Sequence, residues 1–245
     1  MKYTIEQRPF GKGATSRVYL GANEKNEKVA IKMLVNTIEA NQEVEILKSI
    51  PVHHHIIAFL DFFFIHSIGY IVLEYHDGTR LGHFKKGSIR VPTLAVQITI
   101  AILKGLLVIH ESGILHCDIS PHNILICNDD PQTVKIIDFG SAVRKSDSGT
   151  FKGNHKGATK WYRPPEFIKE KNTFTVDLNN SSDLFAAACI CLYLLNGKAP
   201  FHKRQACKQV KNIPLQKVLK KATNPHKHKR YQTAQELIDA LLPFT

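Results

Sequence analysis

His116-Cys117-Asp118-Ile119-Ser120-Pro121-His122-Asn123 is the stretch whose reading decides the fold. It places an aspartate and an asparagine five residues apart in one short polar segment. Twenty residues after Asp118 comes Asp138-Phe139-Gly140, led by the strand-like run Val134-Lys135-Ile136-Ile137. Asp118 is placed to receive or orient the proton of an attacking hydroxyl. Asn123 and Asp138 offer hard oxygen ligands, the kind Mg²⁺ takes while keeping several waters. Asp138 would hold the ion that bridges the last two phosphates of a nucleotide.

Working toward the N-terminus, Val29-Ala30-Ile31-Lys32 reads as a strand that ends in a lysine. Such a lysine can reach a phosphate if a carboxylate fixes its position. Glu43 on the following helix is the first candidate, with Glu39 and Glu45 as rivals. Further upstream, Gly11-x-Gly13-x-x-Ser16-x-Val18 lies between two strands. Glycine lets a backbone approach phosphates closely and point amide N–H groups at them. The run Gly11, Lys12, Gly13, Ala14 to Ser16 is therefore a candidate nucleotide cradle, although Ser16 stands where a third glycine would complete it.

These motifs, in this order and with this spacing, resemble the signature set of eukaryotic-type protein kinases. The resemblance covers roughly residues 3–243. It implies ATP and Mg²⁺ (or Mn²⁺) as cofactors and a serine or threonine hydroxyl of a protein as acceptor. Asp118, Lys32 and Glu43 would be catalytic, and Asn123 and Asp138 the metal ligands. Val18, Ala30 and Leu125 would sandwich adenine. Leu73 would be the gatekeeper, and Glu74-Tyr75-His76 the hinge, with Glu74 and His76 touching the nucleotide. Pro164-Pro165-Glu166 resembles the close of the activation segment, and Arg230 the arginine that pairs with its glutamate. Asp183 would brace the catalytic loop. Leu47, Leu60, Phe139 and His116 would form the apolar stack of the active state. Asp138-Phe139-Gly140-Ser141-Ala142 and Thr159-Lys160-Trp161-Tyr162-Arg163 are most like the group of cyclin-dependent and MAP kinases, with Thr159 near the acceptor's backbone.

The chain departs from that pattern at three places. Cys117 replaces the arginine that binds a phosphorylated activation loop, so activity is expected without that phosphorylation. Ser120 replaces a lysine that contacts the γ-phosphate, and His122 could partly fill its role. Both join the catalytic candidates, with low turnover expected. Ser146, Ser148 and Thr150 are candidate autophosphorylation sites. His122 also replaces a glutamate that in some relatives binds basic substrates, which disfavours an arginine-rich acceptor. A pseudokinase acting as a binding module is the main alternative, and a small-molecule kinase of the aminoglycoside or choline type a lesser one.

The rest of the chain reads consistently with an α+β class. Short strands are expected over residues 3–10, 17–21, 28–34, 56–65 and 69–75, with one helix over 36–50 whose face holds Ile38, Val44 and Leu47. Helices follow over 92–111, 182–196 and 233–242. The middle one is apolar all round and so buried. This order suggests two unlike lobes with a cleft between them, and the kinase resemblance implies a bilobal fold, with a small antiparallel-sheet lobe carrying one helix (1–75), a hinge (74–77) and a larger helical lobe (78–245), together one catalytic domain spanning 1–245.

Composition sets the remaining bounds. Hydrophobic residues make up 43% of 245 residues, which suits a globular domain. No apolar run is expected to reach a membrane span, and Met1 to Arg8 lacks a secretory leader. Five cysteines, odd in number and late in the chain, do not resemble a disulfide framework or a zinc site, and the compartment expected is the cytoplasm or nucleus, a host cell's if the source is viral or a bacterial effector. His53-His54-His55 reads as a turn or packing element rather than a metal site. The net charge is +12, and no acidic residue falls between Asp183 and Glu236. That basic face would attract an acidic or phosphorylated partner or a nucleic acid. His226-Lys227-His228-Lys229-Arg230 resembles a nuclear localisation patch, but Arg230 has its own structural role. A monomer is expected.

Overall fold

A computed structural model describes residues 2–12, 16–83, 91–153, 159–167 and 176–245. Its first part is an antiparallel sheet of β1 (Tyr3–Lys12), β2 (Ser16–Asn23), β3 (Lys28–Leu34), β4 (Phe59–Ile65) and β5 (Ile68–Glu74), ordered β1-β2-β3-β5-β4. Register pairs Val18 with Lys32, Lys32 with Ile71 and Ala30 with Leu73. Side chains alternate across a strand, so Lys32 and Ala30 share one face. Val29, Ile31 and Val72 share the other, packed with Tyr3, Ile5, Phe63 and Tyr70. Two faces with separate partners fix the register, because a slip of one residue would exchange them.

Helix α1 (Thr37–Ser49) begins where the Asn36 side chain accepts the Ile38 and Glu39 N–H groups, a standard use of asparagine at a helix start. Its inward face is Ala40, Glu43, Val44, Ile46 and Leu47. Ile38, expected on that face, is 66% exposed in the first turn, before the helix meets the sheet.

The second part is mostly helical. α2 (Pro92–Glu111) opens with proline in its first turn, where a missing N–H costs nothing. By length and composition α2 could cross a membrane, which corrects the expectation that no run is long enough, but 61% of that stretch is buried inside the protein. α3 (Asn180–Asn196) is buried on nearly all sides and ends at Gly197, whose φ of 66° closes the helix in the left-handed region. Two helices escaped the sequence reading, α4 (Lys203–Lys208) and α5 (Ile213–Ala222). In α5, Leu215, Leu219 and Ala222 form the buried stripe and Asn212 caps Leu215. α6 (Ala234–Leu241) packs beside α2 and α5.

Short strands also lie within the second part. β6 (Thr79–Arg80), β7 (Ile114–Leu115), β8 (Ile124–Ile126), β9 (Lys135–Ile136) and β10 (Val143–Arg144) form small ladders, β6-β8-β9 and β7-β10. One apolar cluster runs from Leu34 and Val44 through Ile136 and Phe139 to Leu241. The architecture is thus an α+β fold of two unlike lobes with a cleft between them.

Candidate active site

The cleft is built from both parts. Its volume is about 260 Å³, and Val18, Ala30, Lys32 and Leu73 line it from the sheet. Asn123, Leu125, Ile137 and Asp138 line it from the helical side, and Glu74, Tyr75 and His76 from the connection. Glu74 is anchored there: its carboxylate takes the Ala58 N–H at 2.8 Å and the Lys135 ammonium at 2.6 Å.

Lys32 Nζ lies 2.7 Å from both carboxylate oxygens of Glu43 and 2.7 Å from Asp138 Oδ1. The rivals Glu39 and Glu45 are excluded because α1 turns them outward. Lys32 and Glu43 are 5% and 3% exposed. Burial alone would push Lys32 toward its neutral form, but the charges of Glu43 and Asp138 outweigh it and hold the ammonium. For Asp138, burial disfavours the carboxylate, yet Lys32 keeps its pKa below the usual value.

Asp118 sits in the loop after β7. Asn123 Nδ2 donates to its Oδ2 at 2.9 Å, and the Thr159 N–H and hydroxyl donate to its Oδ1 at 2.8 and 2.7 Å. His116 packs its ring 5.0 Å from Phe139 and donates from Nε2 to the Ile137 carbonyl at 3.2 Å. The loop is fixed from below by Asp183, which accepts the His116 and Cys117 N–H groups at 2.9 Å each. Glu166 and Arg230, 64 positions apart, meet through two hydrogen bonds of 2.8 and 2.7 Å.

Not every expected residue converges. Ser120 is wholly buried, does not line the cleft, and its Oγ has no partner among the described residues. A hydroxyl sealed from solvent cannot touch a group that enters through the cleft, so its catalytic assignment is withdrawn. Leu60 is 50% exposed. The β4–β5 pairing shifts between Phe59 and Asp61, and Phe59 packs on the core instead. A bulge adds one residue and turns the following side chain over. His122 is exposed but does line the cleft. Ser16 and Gly11 flank the cleft. Gly13 and Ala14 lie outside the described residues, and Lys12 is described as β1 backbone.

Phe10 and Arg80 also line the cleft and were missed. Phe10 directly precedes the glycine run, which was the available signal. Arg80 gave none, because only the β6–β8 ladder turns it toward the cleft.

A family model described as "Protein kinase domain" matches residues 4–245. The chain is 30% identical over 202 residues to Cell division control protein 7 of Schizosaccharomyces pombe, covering 79% of this chain and 18% of that protein. It is 30% identical over 211 residues to Cyclin-dependent kinase 20 of Danio rerio, covering 82% and 59%. It is 32% identical over 223 residues to Mitogen-activated protein kinase 12 of Homo sapiens, covering 84% and 56%. The chain therefore spans less than two thirds of each of these relatives.

Proposed function

The chain belongs to the protein kinase family, and from that premise we propose that it transfers the γ-phosphoryl group of ATP to a serine or threonine hydroxyl of a protein. The observation that carries this reading is the meeting of Lys32, Glu43 and Asp138 within 2.7 Å at one wall of the cleft. Residues 1–245 would act as one catalytic domain.

Val18, Ala30 and Leu125 supply apolar surface for a base. Leu73, Glu74 and His76 line the same cleft, and the backbone at Glu74 and His76 would offer hydrogen bonds to the edge of the base. Lys32, positioned by Glu43, offers a fixed cation to the phosphates. Asp118 accepts the proton as the acceptor oxygen attacks the γ-phosphorus and the bond to the ADP oxygen breaks. The proton stays on Asp118 Oδ until solvent removes it. Most of the rate enhancement in such a site comes from positioning and preorganised charge.

Asn123 and Asp138 fit a Mg²⁺ ion. Asn123 uses its Nδ2 on Asp118, and its oxygen takes no hydrogen bond among the described residues; Asp138 bonds Lys32 and the Gly140 N–H through Oδ1. Hard oxygens of this kind suit Mg²⁺. When bound, the ion would neutralise phosphate charge.

The test uses γ-labelled Mg-ATP with basic, acidic and proline-containing protein substrates, beside Asp118→Asn and Asp138→Ala. Label on serine or threonine, lost in both variants, is the expected result. Nucleotide binding with no transfer to any protein would replace this reading with a binding module.

A further inference from the structure

We propose that Arg80, together with His122 on the same cleft, is a specificity site that selects acceptor sequences carrying a carboxylate or phosphate close to the target hydroxyl. The proposal rests on the kinase reading above and names its substrate class.

The argument starts from the charges in the cleft. Its two carboxylates are already compensated: Glu74 by Lys135 at 2.6 Å and Asp138 by Lys32 at 2.7 Å. Arg80 is different. Its guanidinium takes part in none of the ion pairs among the described residues. Asp77, the carboxylate nearest in sequence, accepts the Tyr75 hydroxyl at 3.1 Å. A half-buried cation without a counter-charge in a walled cleft is a standing attraction for an anion.

The position also fits a peptide beside the acceptor site. Arg80 pairs with Leu125 in the β6–β8 ladder, and its Nη2 lies 3.5 Å from where a Cβ on Gly11 would stand. Its side chain thus reaches from the helical lobe toward the β1 end of the glycine run. His122 packs its ring against Gly82, two residues after Arg80, close enough that a Cβ there would meet Nδ1 at 2.8 Å. His122 also shares its helical turn, Pro121–Asn123, with the residue that bonds Asp118. The exposed imidazole therefore lines the same cleft as Arg80 and belongs to the loop of the proposed base. Thr159 binds Asp118 through its N–H and hydroxyl, and the following Lys160 holds its ammonium over the Trp161 ring at 4.6 Å. An acceptor chain reaching Asp118 would pass the cleft wall that carries Arg80 and His122. A planar guanidinium binds carboxylate or phosphate oxygens through two parallel N–H groups.

The test is steady-state kcat/KM at saturating Mg-ATP for four synthetic peptides. They differ only at the residues flanking one serine: glutamate, phosphoserine, alanine or arginine. The wild type is expected to favour the glutamate or phosphoserine peptide over alanine by roughly tenfold or more, the scale of a charged hydrogen bond. The better of the two identifies the anion. Arg80→Gln should flatten that preference, and Arg80→Glu should shift it toward the arginine peptide. His122→Gln should weaken it in part. Equal turnover of the glutamate, phosphoserine and alanine peptides by wild type overturns the proposal and leaves the kinase reading standing. So does an Arg80→Gln variant that keeps the preference but raises the KM for ATP, since Arg80 would then serve the nucleotide. Label on no peptide and on no protein, in wild type as in Asp118→Asn, removes the kinase reading and this proposal with it.

Discussion

Asp183 accepts the backbone N–H of Cys117 at 2.9 Å, and Cys117 stands at φ 64°. A side-chain-bearing residue in this left-handed region carries roughly 1 kcal/mol or more of strain. The same carboxylate accepts the His116 N–H at 2.9 Å and faces His110 Nε2 at 2.9 Å. Burial pushes its pKa up, but the hydrogen bond and charge of His110 hold it below the usual carboxylate range. Asp183→Ala leaves two buried N–H groups unpaired, at about 1–3 kcal/mol each. A urea titration should show a loss of at least about 2 kcal/mol, with phosphotransfer reduced further because Cys117 adjoins Asp118. An unchanged midpoint would show that the loop holds itself.

Cys117 also bears on control. Its thiol is buried and donates to the Leu115 carbonyl at 3.7 Å. Burial raises the thiol pKa well above normal, so this position offers no charge to a phosphate on the activation segment. Ser146, Ser148 and Thr150 bond one another at 2.8 to 3.1 Å without it. Protein treated with a broad phosphatase should keep its specific activity. A loss that returns on incubation with ATP would defeat this expectation.

Asp118 is expected to set the acid limb of the rate profile. Burial raises its pKa, and the two Thr159 hydrogen bonds partly offset that rise. The limb of kcat/KM should lie above the pH typical of an aspartate, roughly 3.9. Thr159→Val removes one bond to the ionised form, so the limb should move to still higher pH. A shift in the other direction would separate the limb from Asp118.

The Arg230–Glu166 pair is a stability element. Their side chains are 0% and 12% exposed, and Arg230 also bonds the Asn224 carbonyl at 2.7 Å. Burial would raise the Glu166 pKa, but Arg230 holds it below the usual value. A depressed carboxyl contributes stability above its unfolded pKa, and that contribution is lost as pH falls through the folded value. Arg230→Met strands a buried carboxylate and should cost about 3–5 kcal/mol at neutral pH. Adding Glu166→Gln should recover part of it. A double variant as unstable as the sum of the two singles would show that the pair does not act as a unit.

His55 should give the fold a pH dependence of its own. It is 1% exposed, with Nδ1 2.9 Å from the Val134 carbonyl. Burial lowers its pKa to about 4. The unfolded chain then binds the proton more readily, so stability is full above roughly pH 6.5 and falls as pH drops toward the folded value. The expected loss is a few kcal/mol by linkage. His55→Gln should flatten the unfolding midpoint across that window, and an unaltered slope would place the titration elsewhere.

Much of the site was legible because its chemistry depends on residue types at short, fixed spacings. Asp118 and Asn123 lie in one loop and Asp138 follows a strand, so local structure nearly places them. The choice of Glu43 over Glu39 and Glu45 was open in the sequence, because an amphipathic pattern does not say which carboxylate faces a strand eleven residues back. Leu60 misled for a similar reason. Its spacing matched the family's stack, but a shift in the β4–β5 register turned it to solvent.

The sequence by itself determined the order of motifs, the strand-rich front, the buried α3 and the excess of positive charge. Those features follow from composition and from periods of two and 3.6 residues, which local geometry imposes. Tertiary structure alone decided that Ser120 is sealed in the core, that Asp183 anchors a strained Cys117, and that Arg80 faces the cleft without an ion-pair partner among the described residues. Each depends on which surfaces meet when segments distant in the chain pack together. Burial and pairing are properties of that packing, and no local pattern encodes them.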